Sequence, residues 1–238
     1  DVERLKSEGL KAFKLDVCDT KSIEEALIWM LSHTNGRIDV LFNNAAYGQP
    51  GAVEDLKKEV LREQFETNVF GTQELTNLVI PYMRKQKSGR IIYNSSILGF
   101  VAMSYRGAYN ASKFAIEGLA DTMRLELHGS GIEVVLIEPG PIRSDFRKNA
   151  LAKFLEHIDQ ENSAHCDVYT KTLARLQKSG DAPFTLGAEA VLEVLIKAIE
   201  AKKPKARYAV TFPTKLFAVL KRLLPTSFMD AIARKAGE

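Results

Sequence analysis

The sequence predicts an α/β protein: a doubly wound parallel sheet covered by helices on both faces, in three layers. Three observations predict it. Short strand-like stretches alternate with amphipathic helical patterns, as in consecutive βαβ units. The central strand-like stretches are apolar throughout, as expected of strands buried on both faces. Their carboxyl ends carry "NNAAYG", "NSS" and "EPGPIRS". These are polar or turn-forming, and a doubly wound sheet gathers such ends on one rim, where ligands bind.

Each element has a local reason. Residues 2–8 read as the end of a helix stopped by Gly9. "AFKLDV" (12–17) reads as a strand. Residues 19–33 form an amphipathic pattern with Asp19 or Ser22 available as cap, Ser22 and Glu25 standing at capping-box spacing. "IDVLFNNA" (38–45) is a strand, and a long helical pattern covers about 56–86. Gly89 resets the chain before the strand 90–96. A helix is expected over 107–128 and a strand over 131–140, ending at Pro139. Helical patterns follow at about 147–178 and 187–201, then a last strand at 207–212 and a basic, apolar tail. Residues 141–185 carry mixed signals and are expected to be the most mobile part of a single domain spanning 1–238.

Composition narrows the function classes. The chain has 238 residues, 45% hydrophobic and 26% charged, ordinary for a globular domain. No apolar run approaches the roughly 18 residues that a membrane-spanning helix needs. Cys18 and Cys166 form no CxxC pair, so no disulfide scaffold is expected and a reducing, cytoplasmic setting fits. The four histidines lack metal-ligand spacing, and no metal site is expected. A net charge of +3 does not argue for nucleic acid. No secretory signal is read, and the chain opens on a helix end without Met, so the native chain is expected to begin further upstream.

The chemistry concentrates in "NSSILGFVAMSYRGAYNASK", residues 94–113. Tyr109 and Lys113 stand at i and i+4 and share a helix face. A nearby ammonium lowers a phenol's pKa from about 10 toward neutrality, which suits a general acid/base. Ser96, at a strand end, can hydrogen-bond a substrate oxygen. With seven tyrosines in the chain, about 0.6 such Tyr–Lys pairs arise by chance, so the pair alone carries little. Ser96 thirteen residues before Tyr109, "NNAA" after one strand, Asn68 inside the next helix and "PG" after a later strand make an ordered set.

That set resembles the short-chain dehydrogenase/reductase family, in its classical branch, over essentially the whole chain. The resemblance implies a Rossmann-like fold and NADP (or NAD) as cofactor. It implies that Tyr109 is the catalytic acid/base, that Lys113 tunes it and holds the nicotinamide ribose, and that Ser96, rather than Ser95, orients the substrate oxygen. Asn68 would hold a water of the proton relay through its carbonyl. Asn43 and Ala45 would line the cofactor ribose, with Asn44 more structural. Asp16 and Val17 would contact the adenine, and Pro139, Gly140 and Ile142 would lie near the nicotinamide. Ser95 reads as a hydroxyl bonding its own turn.

Two departures stand out. Ala46 replaces the Gly that ends the family's NNAG, which costs about 1 kcal/mol if φ there is positive. The family's glycine-rich TGxxxGxG turn is not found in the 238 residues. The expectation is a chain missing the first βαβ unit, whose "IDVLFNN" strand is an exposed edge. Such a chain would bind NAD(P)H weakly and tend to aggregate.

"IEPGPIRSDF", "FTLGAEAV" and "KPKARYAVT" are similar to 17β-hydroxysteroid and retinol dehydrogenases and to bacterial YbbO-type, NADP-dependent aldehyde reductases. This implies reduction of a fairly apolar carbonyl, or oxidation of the matching alcohol. Residues 141–185 would form a substrate lid lined by Phe146, Phe154, Leu155 and Phe184, although simple helix packing fits these residues equally. Residues 201–229 hold seven Lys/Arg and no acid. They read as a solvated face on a helix packed over the pocket or a partner subunit, ahead of contact with an anionic membrane. The helices at 56–86 and 107–128 correspond to those that pair subunits, implying a homodimer or homotetramer. The rival to an enzyme is a non-catalytic nucleotide-binding or membrane-surface member of the same fold.

Overall fold

The computed structural model describes residues 2–177 and 180–237. Residues 1, 178, 179 and 238 fall within the expected domain, helix and lid ranges but lie outside the described part. The chain runs α1 (Val2–Ser7), α2 (Thr20–His33), β1 (Val40–Asn43), α3 (Lys58–Phe65), α4 (Thr72–Gln86), β2 (Gly89–Asn94), α5 (Gly107–Glu126), β3 (Ile132–Glu138), α6 (Phe146–His157), α7 (Cys166–Gln177), α8 (Ala188–Glu200), β4 (Arg207–Ala209), α9 (Phe212–Leu223) and α10 (Thr226–Gly237).

The four strands pair in the order β1-β2-β3-β4, every pair parallel. Alternation along the strands feeds two cores. Ile91, Tyr93, Val134 and Leu136 face α2, α4 and α5, where they meet Ile23, Val79, Met83, Ile116 and Met123. Ile92, Val135 and Ile137 face the other way, against Ala198 and Leu195 of α8. This is the three-layer α/β/α sandwich that two-sided burial of apolar strands requires. Arg90, at the start of β2, donates to the carbonyls of Ala198, Ile199 and Ala201, so a cation satisfies the last carbonyls of α8.

Four elements differ from expectation in kind or by more than two residues. Residues 12–17 form no strand: extended backbone becomes one only through a ladder, and this segment makes none, leaving Phe13 and Leu15 exposed. Phe13 stacks on Trp29 instead, at 5.3 Å. The 56–86 helix is interrupted by a π-helical turn, Glu66–Gly71. There Gly71 lets the chain approach closely, since a Cβ would lie 1.8 Å from the Val17 carbonyl oxygen. The expected helix at 147–178 is two helices, with residues 158–165 turning between them. The last strand stops at Ala209 because Thr211 already precedes α9. Of the two possible caps of α2, Asp19 is used; Ser22 Oγ accepts from the Asp16 N–H.

Candidate active site

The site is built where β2 and β3 end. Beyond the strands the pairing continues through two bonds, Ser95 N–H to Ile137 O at 2.8 Å and Ile97 N–H to Pro139 O at 2.7 Å. These clamp the Ser95–Ser96 turn to the end of β3. Ser96 is extended and its hydroxyl accepts from the Leu98 N–H at 3.1 Å, starting a single 3-10 turn. The first turns of α5 run alongside. Lys113 is buried and its Nζ donates to the Asn94 carbonyl at 2.7 Å. The same ammonium lies 5.7 Å from the centroid of the Tyr109 ring. Tyr109 is half-buried, and the Ser96 hydroxyl faces its phenol. Ser96, Tyr109 and Lys113 are therefore brought together on one rim.

The electrostatics differ from the sequence expectation. Burial pushes the Tyr109 phenol up to about 12, and the Ser96 hydroxyl only partly offsets this. The ammonium does not pull the phenol toward neutrality here, because Lys113 is turned to the Asn94 carbonyl. Burial also lowers Lys113, to about 8, against the opposing pull of Glu117. At neutral pH the phenol thus carries its proton, the state needed to protonate an oxygen.

Asn68 is buried in the π-turn and fully engaged. Its Oδ1 accepts from the Tyr47 N–H at 3.1 Å, and its Nδ2 donates to Tyr47 O and to Ser112 Oγ, both at 3.0 Å. The side chain therefore ties together the β1 loop, the π-turn and the α5 face that carries Lys113. Asn43 also turns inward, donating to Thr76 Oγ1 at 2.8 Å, so its share of the rim is main chain. Asn44 is the exposed one of the pair and accepts from Asn94 Nδ2 at 2.7 Å. Ala45 is exposed beside it. Ala46 does not have positive φ, so the departure from Gly brings no backbone strain. Asp16 is exposed and bonds the Cys18 N–H, while Val17 is buried against the π-turn. Gly140 faces α9: a Cβ there would lie 2.1 Å from Thr211 Oγ1. Ile142 bridges to Leu186.

The residues present fit a nicotinamide ribose at this rim. Among the described residues the buried Oδ1 of Asn94 and Oγ1 of Thr185 find no hydrogen-bond partner, and such atoms call for one. Lys113, Asn94, Thr185 and the main chain at 43–45 and 139–142 are the groups that would hold it.

Part of the 141–185 segment packs beside this rim. Phe146, at the start of α6, packs edge-on to Tyr109 at 5.2 Å. The helix is fastened to the β1 loop through Gln49, whose Oε1 pairs with His157 Nδ1 at 2.8 Å and whose Nε2 donates to Lys153 O at 3.3 Å. Phe154 does not line a pocket. It is fully buried with Ile158 and Tyr169, holding α6 to α7. Leu155 and Phe184 are exposed.

Sequence reading missed the charged network beneath the site. Ser95 does not bond its own turn; its hydroxyl donates to Glu117 Oε1. Arg207 in β4 then binds Glu117 and Asp121, each at 2.8 Å, and Glu138 at 3.0 Å. The available signal was Glu117 one turn after Lys113; its Arg207 partner lies 90 residues away. Burial and the neighbouring Glu117 raise Glu138 to about 7, partly offset by Arg207. The folded chain thus binds a proton that the unfolded chain releases between about 4.5 and 7. The stability from this group is full below 4.5 and is lost as pH rises through 7. Glu138→Gln is expected to flatten that part of a Tm-against-pH curve; an unchanged slope would assign it elsewhere.

The short chain dehydrogenase family model matches residues 2–154. The chain belongs to this family of oxidoreductases. It is 37% identical to the uncharacterized oxidoreductase YbbO of Escherichia coli, over 98% of this chain and 80% of that protein. It is 32% identical to human 17-beta-hydroxysteroid dehydrogenase type 1, over 90% of this chain and 63% of that one. A crystal structure of a short-chain dehydrogenase from Streptomyces avermitilis superposes with a TM-score of 0.72 at 28% identity, covering 97% of this chain and 79% of that chain. The sheet is accordingly the Rossmann-like one of this family.

Proposed function

We propose that the protein interconverts an aldehyde or ketone with its alcohol by NAD(P)(H)-linked hydride transfer, and that its working direction is NADPH-dependent reduction of a fairly apolar carbonyl. The observation that carries this reading is the convergence of Ser96, a protonated Tyr109 and a buried Lys113 on one rim. The bound nicotinamide supplies the hydride. Ser96 Oγ donates to the carbonyl oxygen and fixes its position. Tyr109 gives its proton to that oxygen as negative charge develops there. The Lys113 ammonium, swung from the Asn94 carbonyl toward the phenol, then stabilises the tyrosinate left behind. Asn68 holds the relay that returns a proton, its side chain fixed by three bonds. A non-catalytic nucleotide-binding role would have no use for these three groups together.

In this reading 1–238 is one domain and 141–185 the lid, with Phe146 over Tyr109 setting an apolar entrance. Exposed Phe70 beside α4 and exposed Phe114 and Leu125 on α5 suit a homodimer or homotetramer through these helices. Two exposed free thiols suit the cytoplasm. A panel of aliphatic, aromatic and steroid-like carbonyls, assayed with NADPH and NADH on the native protein, tests the function. Turnover of apolar carbonyls with NADPH supports it; no turnover of any member with either cofactor would overturn it.

A further inference from the structure

We propose that α9 docks the protein on an anionic lipid surface. The inference does not depend on the reaction.

Helix α9 has two apolar faces. One is buried: Phe217 packs on Ile97, Leu98 and Val101, in the same cluster as Tyr109. At 3.6 residues per turn, the opposite face carries Phe212, Leu216, Val219 and Leu223 in one stripe. These are 59%, 42%, 54% and 73% exposed. Phe184 of the lid segment, itself exposed, stacks on Phe212 at 5.5 Å and widens the patch toward the site entrance. Two adjacent aromatics and three aliphatic side chains held in water by a well-packed helix are, among the described residues, an unpartnered surface and not scattered exposure.

Charge selects the partner. Lys215 and Arg222 stand seven residues apart along one flank of the stripe, and no acidic residue occurs between 201 and 229. A cationic flank beside an apolar stripe with aromatics fits an amphipathic helix lying in the plane of an anionic bilayer. The basic count read from sequence divides in the fold. Lys202, Lys203 and Lys205 precede β4, so they lie at the amino end of the parallel sheet, away from α9. Arg207 belongs to the buried network, and Lys221 donates to the Phe100 carbonyl. The docking surface is therefore local to α9, whose buried face belongs to the cluster that holds Tyr109.

The test is co-sedimentation of the native protein with vesicles of equimolar phosphatidylglycerol and phosphatidylcholine, against pure phosphatidylcholine. The wild type is expected to partition onto the anionic vesicles and to be released by salt. Leu216→Ser with Leu223→Ser should reduce partitioning about tenfold or more, as should Lys215→Glu with Arg222→Glu. The serine pair replaces exposed side chains, so its Tm should hold, and a matched Tm separates lost docking from misfolding; Arg222 also acts on Glu138, so a Tm shift in the charge pair is read against Lys215→Glu alone. Wild type that stays in solution, or variants that sediment like wild type, would overturn the proposal. So would a wild-type dimer that the serine pair turns into monomer while vesicle binding is unchanged, because the stripe would then be an interface between copies.

Discussion

Tyr109→Phe is expected to lower turnover by about 10²- to 10⁴-fold, the usual contribution of a positioned general acid, while leaving cofactor affinity intact. The substitution removes one oxygen. The ring, its edge contact with Phe146 and the Lys113 bond to the Asn94 carbonyl all remain. Lost activity with unchanged NADPH binding, measured by steady-state kinetics and fluorescence titration on the native protein, locates the loss in proton transfer. Near wild-type turnover would remove Tyr109 from the mechanism. Weakened NADPH binding would show that the phenol serves the cofactor. Because burial holds the phenol at about 12, reduction is expected to persist through neutral pH and to fail as the phenol loses its proton in alkali.

The largest stability effect is expected from Arg207→Met. Arg207 is the shared cation of Glu117, Glu138 and Asp121, and the first two carboxylates are buried. Removing the cation leaves them facing each other in a low-dielectric site. Breaking a buried pair in this way costs about 3 kcal/mol or somewhat more, the low end of the usual range because Arg207 is 34% exposed. Denaturant unfolding at pH 7 measures the loss. It should shrink at pH 5, where Glu138 takes up a proton, and Glu138→Gln in the same chain should recover part of it. An Arg207→Met protein as stable as wild type at pH 7 would mean that the network contributes nothing to the fold.

The sequence reading succeeded where the information is local. Strand and helix alternate with their own periods, so the order of elements around β1 to β4 was readable. Ser96, Tyr109 and Lys113 stood out through the ordered set of motifs around them, and thirteen residues of loop and helix and then one helical turn are enough to bring them together. What failed depends on distant partners. Residues 12–17 have strand character but no ladder to join. Asn68 reads as a helix-interior asparagine, yet it lies in a π-turn whose shape is set by Tyr47 and Ser112. Phe154 and Phe146 are alike in sequence, but α7 buries the first while Tyr109 receives the second. The Tyr109 phenol was expected to be acidified by its ammonium neighbour. Burial outweighs that effect, and burial is set by the whole fold. The two-faced character of α9 was visible as composition but not as geometry, since only packing decides which apolar side is used.

The central claim is that Ser96 and Tyr109 act as one unit on a single oxygen. Steady-state kcat/KM for wild type, Ser96→Ala, Tyr109→Phe and the double variant tests it most directly. Groups that share one transition-state interaction are not additive. The expected result is a double variant no slower than Tyr109→Phe by more than a few-fold. Losses that multiply in full would mean that the two residues act independently and not on one shared oxygen.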